Sequence, residues 1–425
     1  MGNYKIYNKK LDGCVNIPPS KSMAHRAVIC ASLAEGESII ENIDLSDDII
    51  STINGMKEFG ADIKIDKDKL IIKGITNLNR EFKGNRIIDC NESGSTLRFL
   101  IPIGCLFSSE NNFIGRGNLG KRPLNTFYDI FNLQGIKYSF NSEKLDLKVL
   151  GKLKPSEFNV PGNISSQFIT GLLFALPLLG GDSKITIKTE TESKGYIDLT
   201  LKALKDFGIE IINKDYKEFI IKGNQKYKPR NYRVEGDYSS GTFFLCADAI
   251  GNNVLCKDLL KDSLQGDKGV IDVLTKMGVE FNITNNEVIG KAAKTKGIII
   301  DASSIPDAIP ALSVVACLSE GKTEIINAKR LRIKECDRLS AIVKELKKLG
   351  GKLEEREDSI IIYGIEEFQG GSIVWSHRDH RIAMMLSIAG TRCKNPIIIE
   401  DIECVSKSYP KFFEDFKALG GKIDE

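Results

Sequence analysis

The sequence predicts a two-domain, mixed α/β protein in which six repeated units, three in each domain, place helices inside and short strands outside. Two recurring phrases carry this prediction. An amphipathic helix followed by a glycine and a strand pair recurs about every seventy residues, and an almost wholly apolar helix recurs half a period away. The chain of 425 residues is also too long for one ordinary hydrophobic core.

The first phrase is marked by a glycine at the end of each amphipathic helix. A residue in this position usually adopts a positive φ, which glycine does without strain. Alternating apolar residues after the glycine, such as Ile63 and Ile65, predict half-exposed strands. The six glycines, spaced by 75, 73, 70, 72 and 70 residues, are Gly60, Gly135, Gly208, Gly278, Gly350 and Gly420.

The second phrase is a polar loop followed by a helix rich in small and apolar residues. Such a helix has no polar face, so we expect it to be buried. The six copies contain the segments PSKSMAHRAVICASLAEG, NESGSTLRFLIPIGCL, GNISSQFITGLLFALPLLGG, GDYSSGTFFLCADAIG, PDAIPALSVVACLSEG and DHRIAMMLSIAG.

The two ends of the chain predict the domain organisation. The sixth unit stops before its strand pair is complete, whereas the strand-like residues 4–17 have no unit of their own. We therefore expect the N-terminal strand to complete the sixth unit. This assigns residues 1–18 and 237–425 to one domain and residues 19–236 to the other, with linkers at Pro18-Pro19 and Glu235-Gly236.

Composition excludes several classes of protein. The net charge of +3, from 60 Lys+Arg and 57 Asp+Glu, gives no general attraction to nucleic acid or membranes. The 10 cysteines form no C-x-x-C pair, which argues against a zinc knuckle and fits a reducing compartment. The polar N-terminus has no apolar signal core. We therefore expect a cytoplasmic protein without a metal.

The loops before the apolar helices predict anion binding. A helix N-terminus has unpaired N–H groups and a partial positive charge, so it attracts anions. Ser and Asp in such loops also serve as ordinary helix caps. However, Lys21, Arg26, Arg98 and Arg381 lie in the same loops, where a cation opposes the helix dipole unless an anion joins it. We therefore expect two phosphorylated anions to bind in the cleft between the domains.

Eight motifs lie in order along the whole chain: PPSKSMAHRA, NESGSTLR, GKRP, ISSQF, IPDA, RIKECDR, DHR and SKSYP. They resemble those of the enolpyruvyl transferases, and among them the 5-enolpyruvylshikimate-3-phosphate (EPSP) synthases. The resemblance implies a two-domain inside-out α/β barrel with three βαβαββ units per domain. It also implies transfer of the enolpyruvyl group of phosphoenolpyruvate to the 5-hydroxyl of shikimate 3-phosphate, without a cofactor, in the pathway to chorismate and aromatic amino acids.

The resemblance also implies roles for single residues. Asp307 would be the base for the 5-hydroxyl, Lys21 would contact both substrates, and Glu335 would carry the proton at the methylene carbon, a task open to Lys21 as well. The implied shikimate 3-phosphate contacts are Lys21, Ser22, Arg26, Ser165, Ser166, Gln167, Ser193, Asp307 and Lys334. The implied phosphoenolpyruvate contacts are Lys21, Gly94, Arg122, Gln167, Arg338, Arg381 and Lys407. Arginine suits carboxylates and phosphates because it donates two parallel hydrogen bonds.

Three positions depart from the family pattern. Glu92 replaces an asparagine, Arg330 stands where many relatives have asparagine, and Tyr238 replaces a small residue. A carboxylate at position 92 should point away from an anionic substrate or pair with a cation, which leaves phosphoenolpyruvate affinity and glyphosate sensitivity open. His377 and His380 are too few for a zinc site, so we expect His380 to orient groups within the active site.

Two other functions are compatible with parts of this pattern. The UDP-N-acetylglucosamine enolpyruvyl transferases share the fold, but they carry a cysteine where this chain has Gly117. A non-catalytic binder of phosphate-rich polymers would need an exposed basic stripe with stacking aromatics, and aromatic residues make up only 8%. We therefore expect small-molecule substrates. We also expect a monomer. Repulsion among the cations should keep the empty cleft open until anions bind.

Overall fold

The chain forms two compact units in a computed structural model that describes residues 2–75, 85–141 and 143–425. The first unit, as we call it below, is Lys21–Val234. The second unit combines Met1–Ser20 with Glu235–Glu425. Each unit has its own hydrophobic core.

The helices of the described residues follow the predicted alternation of buried and half-exposed helices. They are α1 (Lys21–Leu33), α2 (Asp47–Glu58), α3 (Gly94–Gly104), α4 (Asn125–Gln134), α5 (Ser166–Ala175), α6 (Lys194–Asp206), α7 (Tyr238–Ala249), α8 (Val270–Met277), α9 (Ile309–Cys317), α10 (Arg338–Lys348), α11 (His380–Gly390) and α12 (Phe412–Ala418). Short 3-10 turns occur at Leu119–Lys121, Leu176–Leu178, Gly266–Gly269, Lys329–Ile333 and Ile402–Lys407.

The strands are short, mostly of three to five residues. They are β1 (Asn3–Ile6), β2 (Asp12–Asn16), β3 (Glu37–Glu41), β4 (Asp62–Asp66), β5 (Lys69–Lys73), β6 (Arg86–Asp89), β7 (Asn111–Ile114), β8 (Lys137–Asn141), β9 (Asp146–Leu150), β10 (Glu157–Val160), β11 (Ser183–Ile187), β12 (Ile211–Lys214), β13 (Glu218–Ile221), β14 (Asn231–Arg233), β15 (Asn253–Lys257), β16 (Glu280–Ile283), β17 (Glu287–Lys291), β18 (Ile299–Asp301), β19 (Lys322–Ile326), β20 (Lys352–Glu355), β21 (Ile360–Tyr363), β22 (Phe368–Gly370), β23 (Ile373–Trp375), β24 (Cys393–Asn395), β25 (Ile397–Glu400) and β26 (Ile423–Asp424).

Six four-stranded sheets share one topology, a parallel pair followed by two antiparallel pairs. The first unit contains β14-β3-β5-β4, β6-β7-β9-β8 and β10-β11-β13-β12. The second unit contains β2-β15-β17-β16, β18-β19-β21-β20 and β23-β25-β1-β26, with β22-β24 as an extra pair. The predicted six-fold βαβαββ repeat is confirmed.

Strands distant in sequence complete three of the sheets. β14, from the end of the first unit, pairs in parallel with β3. In the second unit, β2 pairs with β15, and β1 lies between β25 and β26. The chain therefore enters and leaves each unit through strands that belong to its sheets.

Three helices in each unit are buried on nearly all sides, as their composition predicts. These are α1, α3 and α5 in the first unit and α7, α9 and α11 in the second. By contrast, α2, α4, α6, α8 and α10 bury only one face. All six predicted helix-ending glycines have positive φ, from 68° at Gly135 to 111° at Gly278. In the described part of the chain, no helix is long and apolar enough to cross a membrane.

Candidate active site

Asp307, in the turn before α9, is surrounded by three cationic side chains. Its Oδ1 lies 2.8 Å from Arg338 Nη1 and 3.2 Å from Lys334 Nζ, and its Oδ2 lies 3.3 Å from Arg381 Nη2. Burial raises the pKa of Asp307, but Arg381, Lys334 and Arg338 outweigh burial and hold it well below its usual range. The carboxylate is therefore ionised. We call these four residues and their partners the Asp307 cluster.

Arg338, the first residue of α10, pairs with three carboxylates of this cluster. Its side chain is 1% exposed. Besides Asp307, its Nε donates to Asp379 Oδ2 at 2.9 Å and its Nη2 to Glu335 Oε2 at 2.6 Å. Burial lowers the pKa of Arg338, but Asp379, Glu335 and Asp307 raise it well above the ordinary value. A ligand anion must therefore compete with three carboxylates for this guanidinium.

Asp379 fixes two arginines with one carboxylate. Its Oδ1 accepts a hydrogen bond from the backbone N–H of Arg381 at 2.9 Å, which caps α11, while both oxygens accept from Arg338. Asp379 lies in the DHR motif, but no role was predicted for it. An aspartate one position before an apolar helix is an N-cap signal, and this signal could have identified the cap of α11 but not the contact with Arg338.

A further buried carboxylate, Asp267, lies at the N-terminus of α7. Asp237 caps α7 through the N–H of Ser239, and the hydroxyl of Ser239 donates to Asp267. Burial, and then the nearby charge of Asp307, raise the pKa of Asp267 to about 6. Arg381 Nη1 lies 3.5 Å from the carbonyl oxygens of Ser239 and Asp307, which joins this group to the Asp307 cluster. Nothing in the sequence singled out Asp267.

The first unit holds a second group of predicted site residues around Lys21, which we call the Lys21 cluster. Lys21 begins α1, and its Nζ lies 2.8 Å from Oδ2 of Asp48 in the first turn of α2. The carbonyl oxygen of Asp48 accepts from Thr96 Oγ1 at 3.3 Å. Thr52 links Thr96 to Nδ1 of His25, with both distances 2.7 Å. This hydrogen-bonded chain joins α1, α2 and α3. Sequence reasoning missed Asp48.

Three predicted phosphoenolpyruvate contacts lie together at the starts of α3 and α5. Gln167 accepts from Arg98 Nη1 and donates to Ser95 Oγ, both at 2.9 Å. A Cβ on Gly94 would lie 2.7 Å from Arg122 Nη1 and 3.6 Å from Gln167 Oε1. Gly94 is therefore the residue that lets Arg122 approach the helix N-terminus.

Arg26 is buried, and its guanidinium is bound within the first unit. Its guanidinium donates to the carbonyl oxygen of Ser22 at 2.6 Å, to that of Tyr196 at 2.8 Å and to Thr200 Oγ1 at 2.9 Å. These bonds join α1 to α6. Burial lowers the pKa of Arg26 to about 10. Arg26 thus supports the loop that carries Lys21.

The remaining predicted contacts occupy helix starts or buried turns. Ser165 caps α5 by accepting from Gln167 N at 3.3 Å. Ser166 is the first residue of α5, and Ser193 precedes α6 with a φ of 53°. Lys407, in the second unit, is 5% exposed.

Two of the three departures from the family pattern have a visible structural consequence. A Cβ on Gly117 would lie 2.7 Å from Cδ and 3.2 Å from Cγ of Glu92, so the Glu92 carboxyl group occupies the space that a side chain at 117 would need. Tyr238 is fully buried, and its hydroxyl donates to the carbonyl oxygen of Leu260 at 3.0 Å. The aromatic ring therefore packs in the core. We found no structural explanation for Arg330.

The two histidines of the H-x-x-H pattern have separate surroundings. His377 Nε2 lies 2.9 Å from Glu345 Oε1, whereas buried His380 has its Nδ1 3.9 Å from Asp379 Oδ1. Within residues 2–75, 85–141 and 143–425, no group of three or more His, Cys, Asp or Glu side chains could hold a metal ion.

Comparisons with known proteins agree over the full length of the chain. The family model described as EPSP synthase (3-phosphoshikimate 1-carboxyvinyltransferase) matches residues 7–416. Proteins named 3-phosphoshikimate 1-carboxyvinyltransferase from Clostridium beijerinckii and Clostridioides difficile are each 63% identical, covering 100% of this chain and 99% of theirs. An EPSP synthase structure from Acinetobacter baumannii has a TM-score of 0.83 at 26% identity, covering 100% of this chain and 99% of that one.

Proposed function

The chain belongs to the EPSP synthase (3-phosphoshikimate 1-carboxyvinyltransferase) family, and we propose that its Asp307 and Lys21 clusters carry out the reaction of that family. It is a transferase of the shikimate pathway that acts on phosphoenolpyruvate and shikimate 3-phosphate. In the first step the 5-hydroxyl oxygen adds to C2 of phosphoenolpyruvate while C3 gains a proton. In the second step C3 loses a proton and the C2–O bond to phosphate breaks.

The observation that supports this proposal best is the set of three cations on the carboxylate of Asp307. In the proposal, Asp307 accepts the proton of the 5-hydroxyl. The same cations that keep Asp307 ionised also make it a weak base as long as they are paired with it.

Substrate binding would correct this weakness. Arg338 binds Asp307 through Nη1, and Arg381 binds it through Nη2. When phosphoenolpyruvate binds, its carboxylate and phosphate would accept hydrogen bonds from these two arginines in place of Asp307. Loss of these partners raises the pKa of Asp307, since fewer positive charges then favour its ionised form. Asp307 would thus become a stronger base only when the second substrate is in place.

Glu335 and Lys21 are the two candidates for the proton at the methylene carbon. Glu335 is bound to Arg338 at 2.6 Å, so a substrate anion that engages Arg338 would also alter Glu335. Lys21 is held at 2.8 Å by Asp48, which keeps the ammonium group in place at the start of α1.

The binding assignments predicted from sequence complete the proposal. Shikimate 3-phosphate would contact Lys21, Ser22, Arg26, Ser165, Ser166, Gln167, Ser193, Asp307 and Lys334. Phosphoenolpyruvate would contact Lys21, Gly94, Arg122, Gln167, Arg338, Arg381 and Lys407. Residues 1–18 with 237–425 and residues 19–236 would be the two domains, and both clusters would act on one pair of substrates. A cytoplasmic monomer is part of the same proposal.

The UDP-sugar reaction is less well supported. Position 117 is glycine, and the carboxyl group of Glu92 occupies the space beside it. A cysteine side chain at this position would have to displace the Glu92 carboxyl group.

Release of phosphate by the purified protein in EDTA tests the proposed function. We expect release with phosphoenolpyruvate plus shikimate 3-phosphate, and none with either substrate alone. A parallel reaction contains UDP-N-acetylglucosamine with phosphoenolpyruvate. Release only in that reaction would identify the other enolpyruvyl transfer, and no release in any reaction would overturn the function.

A further inference from the structure

The turn before Asp379 has an unusual backbone. His377 and Arg378 have φ values of 54° and 55°, so two successive residues other than glycine adopt the left-handed conformation. This conformation is unfavourable for L-residues with a Cβ and persists only when surrounding contacts enforce it. The next residue, Asp379, binds the guanidinium of Arg338 and accepts from the backbone N–H of Arg381.

A buried carboxylate on α10 holds this turn from one side. Glu345 has a fully buried side chain, and its Oε1 lies 2.9 Å from His377 Nε2. Its Oε2 accepts from the backbone N–H of Trp375 at 3.0 Å and from Lys348 Nζ at 2.7 Å. Burial raises the pKa of Glu345, but the hydrogen bonds from His377, Lys348 and Trp375 outweigh burial and lower it. Because an ionised carboxylate only accepts hydrogen bonds, His377 donates from Nε2.

Asp401 holds the turn from the other side. Its carboxylate accepts from the indole N–H of Trp375 at 2.9 Å, and its carbonyl oxygen accepts from Ser376 Oγ at 3.0 Å. Ser376 Oγ in turn accepts from the N–H of Arg378 at 3.1 Å. The rings of Trp375 and His377 also pack against each other, with centroids 4.2 Å apart. Among the described residues, the side chain of His377 therefore provides the hydrogen bond from the left-handed pair directly to α10.

We propose that His377 is a positioning residue for the reaction, because its hydrogen bond to Glu345 holds the left-handed turn that places Asp379 against Arg338 and Arg381. This inference rests on the proposed role of these two arginines in binding phosphoenolpyruvate. His377 does not contact substrate in this account. It acts through the position of Asp379, and a shift of about one ångström in such a group can lower a rate by about a hundredfold.

Two substitutions at one position separate the hydrogen bond from the backbone strain. His377→Ala removes the donor, whereas His377→Gln retains an N–H₂ donor of similar reach, and both replacements face the same strain at positive φ. A matched control, Asn224→Ala, strains a residue with a φ of 56° in the first unit. The measurements are kcat and KM for phosphoenolpyruvate, the melting temperature and the emission of Trp375, the only tryptophan in the chain.

We expect His377→Ala to lower kcat/KM for phosphoenolpyruvate by about tenfold to a hundredfold and to change the Trp375 emission. His377→Gln should stay within about threefold of the wild type, and Asn224→Ala should lose melting temperature only. The proposal is overturned if His377→Ala keeps wild-type kinetics, if His377→Gln is equally impaired, or if Asn224→Ala loses as much activity. A wild-type protein without phosphate release would instead contradict the proposed function.

Discussion

At the residue scale, burial decides which ionisable groups carry charge. His25 is 1% exposed, and its Nδ1 is hydrogen-bonded to Thr52, while its Nε2 has no hydrogen-bond partner among the described residues. Burial lowers the pKa of His25 to about 3. The ring is therefore neutral in the folded protein at pH values where it would be protonated in the unfolded chain.

Replacing His25 by Asn should reduce the acid sensitivity of the fold. The folded-state pKa lies below the ordinary 6.5, so the stabilising contribution is complete above pH 6.5 and is lost as the pH falls towards 3. By pH 5 the wild type should lose ~2 kcal/mol more unfolding free energy than His25→Asn. Urea unfolding at pH 7 and pH 5 measures this difference. Equal losses in both proteins would show that His25 is not buried as a neutral ring.

The contact between Gly117 and Glu92 gives a second prediction at this scale. Gly117→Ala should cost about 1–2 kcal/mol because φ is +58°, and about 0.5–1 kcal/mol more because the new Cβ would force the flexible Glu92 side chain into another rotamer. In a Glu92→Ala background only the cost of the backbone conformation should remain. Urea unfolding of the four proteins in this cycle measures the coupling. An equal cost in both backgrounds would contradict the predicted displacement of Glu92.

The sequence identified the cations of the site more fully than the carboxylates that hold them. Lys21, Arg338 and Arg381 were identified by motif resemblance, but Asp48 was not. An aspartate in the first turn of a half-exposed helix is usually explained by its favourable interaction with the helix dipole alone. Its contact with Lys21 joins residues 27 positions apart. Such a contact depends on how α1 and α2 pack, which no local pattern reveals.

At the element scale, the repeats could be predicted because each unit repeats the same physical pattern. The glycine after each amphipathic helix indicates a residue with positive φ. The apolar composition of α7, α9 and α11 indicates that these helices are buried. The pair β22-β24 was not predicted, because strands of three residues are too short to show an alternating pattern.

The position of β1 leads to a prediction about stability. Ile6 is fully buried, and it pairs with Ile397 and Ile423 across the sheet. Its Cγ2 packs so closely on Gly390 that a Cβ added to this glycine would lie only 2.7 Å from it. Ile6→Ala should therefore lower the unfolding free energy by about 2–4 kcal/mol, as expected for a cavity in a core. Ile212→Ala, at a site that is 55% exposed, is the matched control and should change it by less than about 0.5 kcal/mol.

Urea unfolding of both variants provides the comparison. A loss below about 1 kcal/mol in Ile6→Ala would mean that the N-terminal strand contributes little to the second unit, despite its place between β25 and β26.

At the scale of the whole molecule, the proposed reaction uses residues of both compact units. Lys21 belongs to the first unit and Asp307 to the second, and each has its own set of oppositely charged partners. In the proposal each anion has contacts from both units: Lys21 and Arg338 for phosphoenolpyruvate, and Lys21 and Lys334 for shikimate 3-phosphate. The central claim is that both clusters act in the same chemical step.

Single-turnover phosphate release by Lys21→Met, Asp307→Asn and the double variant tests this claim most directly. Each single substitution should slow release by about a hundredfold to ten-thousandfold. The double variant should be little slower than the slower single variant, because residues that act together are not additive. Melting temperatures confirm that the variants are folded. Release within tenfold of the wild type in either single variant, or a double variant slowed by the product of both effects, would contradict the account.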